Sequence, residues 1–504
     1  MTTKPTDARR DNVDFADVQG LVRFGHGHLE EAVYCLLSIT DAGAARAWLR
    51  AAPVSTAEAS DPLPKTALQV AFTAAGLRTL GVDEAVIERF AEDFVEGMAA
   101  THARSRRLGD VGANAPTHWQ WGHGDEPAID LMVMLFAERN GLDAWRRQVE
   151  ADHWQDAFRV VRELPTFEMG SIEPFGFEDG VSQPRLDWCQ LFPTDTHERA
   201  RYANHLALGE VLLGYPNEYG TYTPRPLLDR GTADPTHLLL PAEDRPGFSD
   251  LGKNGTYLVF RQLHQDVRGF WQFLDREAGG DPEERERLAT AMVGRTRDGE
   301  PLMLEDLAPP GSGPRNRFTF DDDPDGMICP IGAHIRRTNP RTGDLPPHQR
   351  GWLNRLLLTL GLKRREGRFD LVASTRFHRL LRRGREYGSP LPLDEALKPG
   401  PQDEERGLHF ICLVANIQRQ FEFVQNAWVA KAKFNGVGTE ADPLLGEREP
   451  LITGEPTDRF TMPQPSGPPR RIEGLPPFVT VRGGAYFFLP GLRALRFIAS
   501  ERSN

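Results

Sequence analysis

Gly255-Thr256-Tyr257-Leu258-Val259-Phe260-Arg261-Gln262-Leu263 reads as a strand, because β-branched and aromatic residues in a short run fit a pleated surface. Downstream, Gln265 to Leu274 and Pro282 to Val293 carry helical spacing, and Phe377 to Leu381 and Leu408 to Val414 are extended. Ile417 to Lys431 predicts a helix and Phe478 to Leu489 a final strand. Upstream the series repeats. Glu31 to Ile39 is a strand ended by Asp41-Ala42-Gly43, Ala44 to Ala51 is helical, Thr66 to Thr73 is extended, and Leu77 to Met98 has apolar residues at three-to-four spacing. Asp130 to Ala137 is a short apolar run, Gly141 to Val149 looks helical and Asp156 to Leu164 extended.

Two series of alternating strands and helices fit an α+β fold with antiparallel sheets, a ferredoxin-like arrangement used twice. The expected division is residues 15–165 and residues 166–504, the second with long insertions. Those insertions are Pro309 to Gly326, Gly388 to Arg406 and Thr439 to Pro477, all rich in Pro, Gly and charge. Loops of that length usually serve as functional covers. Thr166 to Gly180, with Gly170, Gly176 and Gly180 around Pro174, reads as an irregular loop joining the halves.

The chain has 504 residues, 39% hydrophobic and 26% charged, within globular norms. A net charge of −12 argues against a nucleic-acid sleeve. The longest apolar runs, such as Ala32 to Ile39 and Leu131 to Ala137, fall far below the ~20 residues a membrane helix needs. Arg9-Arg10 resembles a twin-arginine signal, but Asp11 to Gly20 is charged where an apolar region is required. The expected location is cytoplasmic. Cys35, Cys189, Cys329 and Cys412 are widely spaced, with no C-x-x-C pair, and read as buried, reduced thiols.

Three segments carry chemistry. Phe175-Gly176-Phe177-Glu178-Asp179-Gly180-Val181-Ser182-Gln183-Pro184 flanks an acid with glycines, which let the backbone approach a flat ligand closely. An ordinary Asp-Gly turn is the other reading. In Cys329-Pro330-Ile331-Gly332-Ala333-His334-Ile335-Arg336-Arg337, small residues precede a histidine able to reach a metal, and arginines follow that suit anions. A structural histidine beside an ion-paired strip is the alternative. In Phe377-His378-Arg379-Leu380-Leu381-Arg382-Arg383-Gly384, strand alternation sends Arg382 and Arg383 to opposite faces, so one points inward and needs an anion. A basic, exposed strand end competes with that. Phosphate-loop, nucleophile-elbow, zincin and dinucleotide motifs are absent. His26-Gly27-His28 lacks a third ligand, and Asp321-Asp322-Asp323-Asp325-Gly326 lacks the closing glutamate of a calcium loop. The acidic run reads as a solvated turn.

In this order the three segments resemble the dye-decolourising peroxidase family of haem enzymes. Gly176 to Gly180 matches its G-x-x-D-G motif, Gly332 to Arg336 the segment of its proximal histidine, and Leu381 to Gly384 the region of its distal arginine. Asp17-Val18-Gln19-Gly20, Leu213 to Glu218, Asn254 to Arg261 and Gln420 to Phe423 are also similar to family sequence, so the likeness runs from about residue 15 to 490. Its length and its R-R-G-x-x-Y-G form are most similar to the larger, generally cytoplasmic subgroup.

The resemblance implies two ferredoxin-like domains and one b-type haem (iron protoporphyrin IX) per chain, held mainly by the second. His334 is then the axial iron ligand. Gly180 lies in the loop closing over the distal face, and Arg336 pairs with a haem propionate. A carboxylate usually hydrogen-bonds the proximal histidine, and Glu422 is one candidate among several. Asp179 shuttles the peroxide proton as general base and then acid, and Arg382 stabilises the developing negative charge as the bond breaks to a ferryl intermediate. The implied partners are hydrogen peroxide and a small-molecule electron donor, phenolic or dye-like, with no nucleic acid or membrane. Bulky dyes would pass electrons through surface Trp or Tyr, none of which is singled out among nine Trp and eight Tyr. The acidic surface favours cationic or neutral donors. Two readings compete: a haem carrier or sensor of the same fold, which needs His334 but not a distal acid, and a haem-free acid–base hydrolase built on Asp179.

A carboxylate with an ordinary pKa of ~3.9 stays ionised in mild acid where a histidine does not stay neutral. Dye oxidation by this chain is therefore expected to peak below pH 7. A pH–rate profile with its maximum above neutrality would show that Asp179 is not the sole acid–base group.

Overall fold

Nine strands form one antiparallel sheet in the computed structural model of the chain, which describes residues 13–124, 128–168, 170–190, 203–234, 237–303, 314–342, 375–400 and 404–500. They are β1 (Glu31–Ile39), β2 (Thr66–Phe72), β3 (Leu131–Ala137), β4 (Phe158–Pro165), β5 (Thr256–Gln265), β6 (Leu381–Arg382), β7 (Arg385–Tyr387), β8 (Gly407–Val414) and β9 (Val479–Leu489). Their order is β6-β8-β5-β9-β2-β3-β1-β4, with β7 also paired to β8. With β6 and β7 counted as one interrupted strand along β8, in each half the first strand lies between the third and fourth, and the second pairs outside the third. That is the ferredoxin-like order expected twice over. The halves meet edge to edge where Phe488 pairs with Phe72.

Burial explains which strands sit centrally. Every residue of β3 is buried, as a continuous apolar run requires when both sheet faces are covered, and so are all but one of β5, polar Arg261, Gln262 and Gln265 included. Alternation along β1 sends Val33, Cys35 and Leu37 into one core and Tyr34 and Leu36 into the other. The edge strand β4 exposes Arg159, Val160 and Glu163.

Helix boundaries follow their caps. The Asp41 side chain accepts the N–H of Ala44 at the start of α1 (Ala42–Ala51), and Asp266 accepts that of Gly269 in α2 (Val267–Glu277). Asp281 precedes Pro282 in α3 (Pro282–Val293), which ends on Gly294 at φ 94°. The single helix expected over Leu77 to Met98 is instead three short ones, Ala74–Thr79, Glu84–Ile87 and Glu92–Glu96. The chain turns through Gly81 at φ 76°, a conformation a continuing helix cannot use. Ile417 to Lys431 is helical but π-wound over Gln418–Glu422 and Val424–Ala430, with the N–H of Glu422 reaching the carbonyl of Ile417. Such wide turns occur mostly at functional sites.

Of the expected loops, Thr439 to Pro477 folds partly into a two-stranded ribbon, Arg459–Met462 against Arg470–Glu473. Parts of Pro309 to Gly326 and Gly388 to Arg406 lie outside the described residues. Cys35, Cys329 and Cys412 are buried as expected, but Cys189 is exposed. Among the described residues no helix is long and apolar enough to cross a membrane.

A buried ionic cluster ties the N-terminal half to the π-wound segment. Arg104 Nη1 lies 2.6 Å from Glu422 Oε1 and 2.6 Å from Asp93 Oδ1, and Nη2 lies 2.6 Å from Glu96. Arg107 reaches the other Glu422 oxygen at 2.9 Å, and the Tyr486 hydroxyl donates to Oε1 at 2.9 Å. Glu422 is only 1% exposed. Removing one partner of such a pair strands a buried charge, so Arg104→Leu is expected to lower stability by ~3–5 kcal/mol in urea unfolding. A change below ~1 kcal/mol would mean that the contact is not a structural tie.

Candidate active site

His334 opens α4 (His334–Thr338), a short helix following Gly332-Ala333. A Cβ on Gly332 would come within 2.7 Å of Glu440 Oε1, so this turn lies close against the Glu440 carboxylate. Arg337 fastens α4 to the π-wound segment, donating to the carbonyls of Trp428 (2.6 Å), Lys431 (2.7 Å) and Glu440 (3.2 Å). His334 Nδ1 lies 2.9 Å from Asp442 Oδ2. Asp442 is itself buried and accepts the N–H groups of Leu444 and Leu445, each at 2.9 Å. Burial opposes charge on both partners. The carboxylate nonetheless raises His334, and His334 with Arg337 lowers Asp442. The opposite nitrogen, Nε2, is the one left to the cavity that His334 lines.

That cavity has apolar walls from β5, β8, β9 and the π-wound segment, including Leu263, Phe410, Phe421, Val424 and Val481. Asp179 and Arg382 also line it. Arg382 Nη1 donates to Asp179 Oδ1 at 2.7 Å, across 203 residues of sequence. The two sit in opposite neighbourhoods of the chain. Asp179 ends a tight hairpin in which Ile172 pairs with Glu178 and the Asp179 N–H reaches the Ser171 carbonyl at 2.8 Å. Arg382 lies on β6 opposite Cys412, and its N–H reaches Gln183 Oε1 at 3.1 Å. Arg383 points the other way, onto the carbonyls of Leu21 and Val22. Strand alternation therefore sorts the two arginines as expected.

Burial raises the cost of charge on Asp179, but Arg382, the Gly180 N–H and the His334 charge outweigh it and hold the carboxyl below its ordinary 3.8. The same carboxyl feels the histidine, so distal and proximal groups share one electrostatic field. Gly180 sits at φ 78°, a conformation that favours glycine, and holds Asp179 through its N–H.

Arg336 is placed differently from the expectation. Its guanidinium is buried against Asp323 Oδ2 (3.0 Å), the Asp323 carbonyl (2.6 Å) and the Cys329 carbonyl (2.6 Å), away from the cavity lining. Through these three bonds Arg336 props the His334 turn. Asp323 is correspondingly not part of a solvated acidic turn: it is 3% exposed and also accepts the N–H groups of Ile328 and Cys329. Glu422 is spent on Arg104, Arg107 and Tyr486, and Asp442 is the acid on His334. Asp442 lies in the Pro- and Gly-rich stretch Thr439 to Pro477, where no local pattern marked it. His26 is buried while His28 is exposed and bonded to the Pro64 carbonyl, so the two imidazoles part company. Among the described residues no group of three metal-ligating side chains occurs.

Sequence reasoning passed over a cationic rim. Arg295, Arg341 and Arg379 are buried, and each is hydrogen-bonded among the described residues to neutral acceptors alone: Ser182 and two carbonyls for Arg295, Asn204, Asn316, Ser182 and carbonyls for Arg341, and the Ala203 carbonyl for Arg379. Burial pushes Arg295 and Arg379 down to about 10. Arg295 and Arg379 line the cavity, and Arg379 Nη2 is buried without a partner. Buried charges are ordinarily paired. The chamber thus suits a flat apolar molecule with anionic groups at one rim and an atom that accepts an imidazole nitrogen.

No family model matches the chain. It is 29% identical over 452 residues to the multifunctional dye peroxidase DyP2 of an Amycolatopsis species, a match covering 85% of this chain and 81% of that protein. It is 26% identical over 526 residues to a dye-decolorizing peroxidase of Auricularia auricula-judae, covering 95% and 86%. Among solved structures, DyP2 superposes at a TM-score of 0.65 with 26% identity over 96% of each chain. A dye-decolorizing peroxidase in complex with 2,6-dimethoxyphenol superposes at 0.71 with 23% identity, over 97% of this chain and 100% of that one.

The Asp179–Arg382 pair sets a signed expectation. A lowered carboxyl pKa makes the stabilisation from this pair present above the ordinary range and lost as pH falls through the lowered value. Arg382→Leu removes the principal lowering charge and leaves burial. Followed by the infrared band of the carboxyl group, Asp179 is expected to titrate below 3.8 in the wild type and above it in the variant. An unchanged midpoint would sever the link.

Proposed function

Since the chain belongs to the dye-decolourising peroxidase family, we propose that it reduces hydrogen peroxide to water and oxidises phenolic or dye-like donors, using one b-type haem per chain. One observation carries the reading: a histidine held by a buried carboxylate, and an Asp–Arg pair, line one apolar cavity.

The residues present fit a haem. His334 offers a nitrogen to the iron while Asp442 fixes the ring through Nδ1 and raises its basicity. The apolar walls suit the macrocycle. The cationic rim suits its two propionates, and the unpartnered Nη2 of Arg379 is the donor best placed to take one. Haem supplies an iron centre that accepts two electrons' worth of oxidation from peroxide and returns it to donors one electron at a time.

The chain's own residues govern the protons. Asp179, held ionised by Arg382, accepts a proton from peroxide and returns it to the leaving oxygen. Arg382 stabilises the negative charge that develops on that oxygen. The hairpin around Gly176 and Gly180 keeps Asp179 over the cavity. Loss of either residue removes a function that a haem carrier does not need, so the enzyme reading is favoured over the carrier reading. The boundary between residues 15–165 and 166–504 belongs to this reading too, supported by the end of β4 at Pro165. A cytoplasmic location completes it and is checked by cell fractionation.

The test is the visible spectrum of protein made with ample haem, before and after one equivalent of hydrogen peroxide. Wild type is expected to show a Soret band that peroxide shifts, and His334→Ala to lose the band. Asp179→Asn and Arg382→Leu are expected to keep the band and react with peroxide roughly 10²–10⁴-fold more slowly. A Soret band unmoved by peroxide would favour the carrier, and no band at all would refute the haem.

A further inference from the structure

Glu173 lies six residues before Asp179, lines the same cavity, and has no role in the chemistry above. Its carboxylate is half-buried at the cavity wall, with no cation hydrogen-bonded to it among the described residues. Instead three neutral donors converge on it: the N–H of Phe175 on Oε2 at 3.0 Å, the N–H of Phe177 on Oε1 at 2.9 Å, and the Gln265 amide on Oε2 at 2.7 Å. The first two belong to the hairpin that carries Asp179, and the third to the end of β5. Backbone bonds complete the turn, from Glu173 N to the Phe177 carbonyl (2.8 Å) and from Gly176 N to the Glu173 carbonyl (2.7 Å).

We propose that Glu173 is the positioning residue of the distal site, clasping the Asp179 hairpin to β5 so that Asp179 meets Arg382. The assignment rests on the peroxidase reading above. A carboxylate has two oxygens that only accept, so it can take backbone N–H groups on both sides of the turn and a side-chain amide besides. Glutamine has one such oxygen, and its NH₂ would face the N–H of either Phe175 or Phe177. Aspartate is one methylene too short to span the same donors. Burial without a cation is costly for a carboxylate, and it pushes Glu173 up to about 7, with Asp179 adding to the rise. A group kept at that cost, and hydrogen-bonded to the loop bearing the acid, acts on the geometry of the loop. The rest of the hairpin is fastened independently, by Trp271 Nε1 on the Phe175 carbonyl (3.1 Å) and by Glu178 N on the Arg297 carbonyl (2.9 Å). Removing the clasp therefore leaves the fold and shifts the loop tip.

The experiment uses the haem-loaded protein and compares wild type with Glu173→Gln. The variant is expected to keep the far-ultraviolet spectrum and the Soret band. Its reaction with peroxide is expected to slow by roughly ten- to a hundredfold, the range set by a misplacement near 1 Å, with the KM for the donor unchanged. A merely structural role would not move the acid limb of that rate. Here the limb moves to higher pH, because Asp179 loses Arg382, its principal lowering charge, and keeps its burial, while His334, Arg295 and Glu386 still bear on the site and the like charge of Glu173 is gone. A crystal structure of the variant is expected to show Asp179 Oδ1 and Arg382 Nη1 separated beyond 3.5 Å. If Glu173→Gln does not fold, Gln265→Met, which removes only the amide donor, is expected to slow the reaction in the same direction by a smaller factor. A wild type that reacts with peroxide and a variant with the same rate, acid limb and Asp179–Arg382 distance would overturn the assignment. A wild type that does not react would instead overturn the peroxidase reading.

Discussion

The contact between Asp179 and Arg382 is the interaction around which the chamber is arranged. A guanidinium inside an apolar cavity needs an anion, and an aspartate there needs a cation. Neither residue is near the other in sequence, so the fold must bring a hairpin and a strand edge together and hold both. The hairpin is held by backbone bonds and by Glu173. The strand edge is held by pairing to β8 and by Arg383, which anchors the opposite face on the carbonyls of Leu21 and Val22. The same pair then sets the ionisation that peroxide chemistry requires of the acid.

A second constraint works from beneath. His334 is useful only if its ring is fixed and its Nδ1 committed, and Asp442 does both from a segment over a hundred residues away. Arg336 and Arg337 hold the short helix from either side, one on Asp323 and the other on three carbonyls. Their charges serve the framework. The arginines placed to meet an anionic rim are others, above all Arg379, whose Nη2 has no partner among the described residues. The division is one of engagement: Arg336 and Arg337 each make three hydrogen bonds within the framework, whereas Arg379 makes one.

The two halves are joined in two ways that differ physically. The sheet is continuous through one pair, Phe488 with Phe72, which supplies direction but little energy. The Arg104–Glu422 cluster supplies specificity, since charges taken out of water must meet their partners in a defined geometry. The N-terminal half also reaches the site directly, since Gly109, Asp110 and Asn114 line the cavity beside the π-wound segment that carries Glu422.

The strand pattern was legible from composition and alternation alone, because β3 is continuously apolar and β5 carries an apolar run, Tyr257 to Phe260, covered on both faces. Asp179, His334 and Arg382 were singled out through the resemblance of their three segments to a family, since local pattern by itself left an Asp-Gly turn, a structural histidine and an exposed strand end open. Asp442, Arg379 and Glu173 were not, since an acid in a Pro-rich loop or an arginine beside other arginines carries no local mark of what it will meet. The breaks in Leu77 to Met98 and the π-wound turns of Ile417 to Lys431 also escaped, because apolar spacing reports which face is buried and not how the backbone winds. What sequence determines here is the set of segments and the side chains that short-range geometry exposes. Which carboxylate meets which nitrogen is decided only by tertiary structure, because burial forces charges separated by hundreds of residues to find each other.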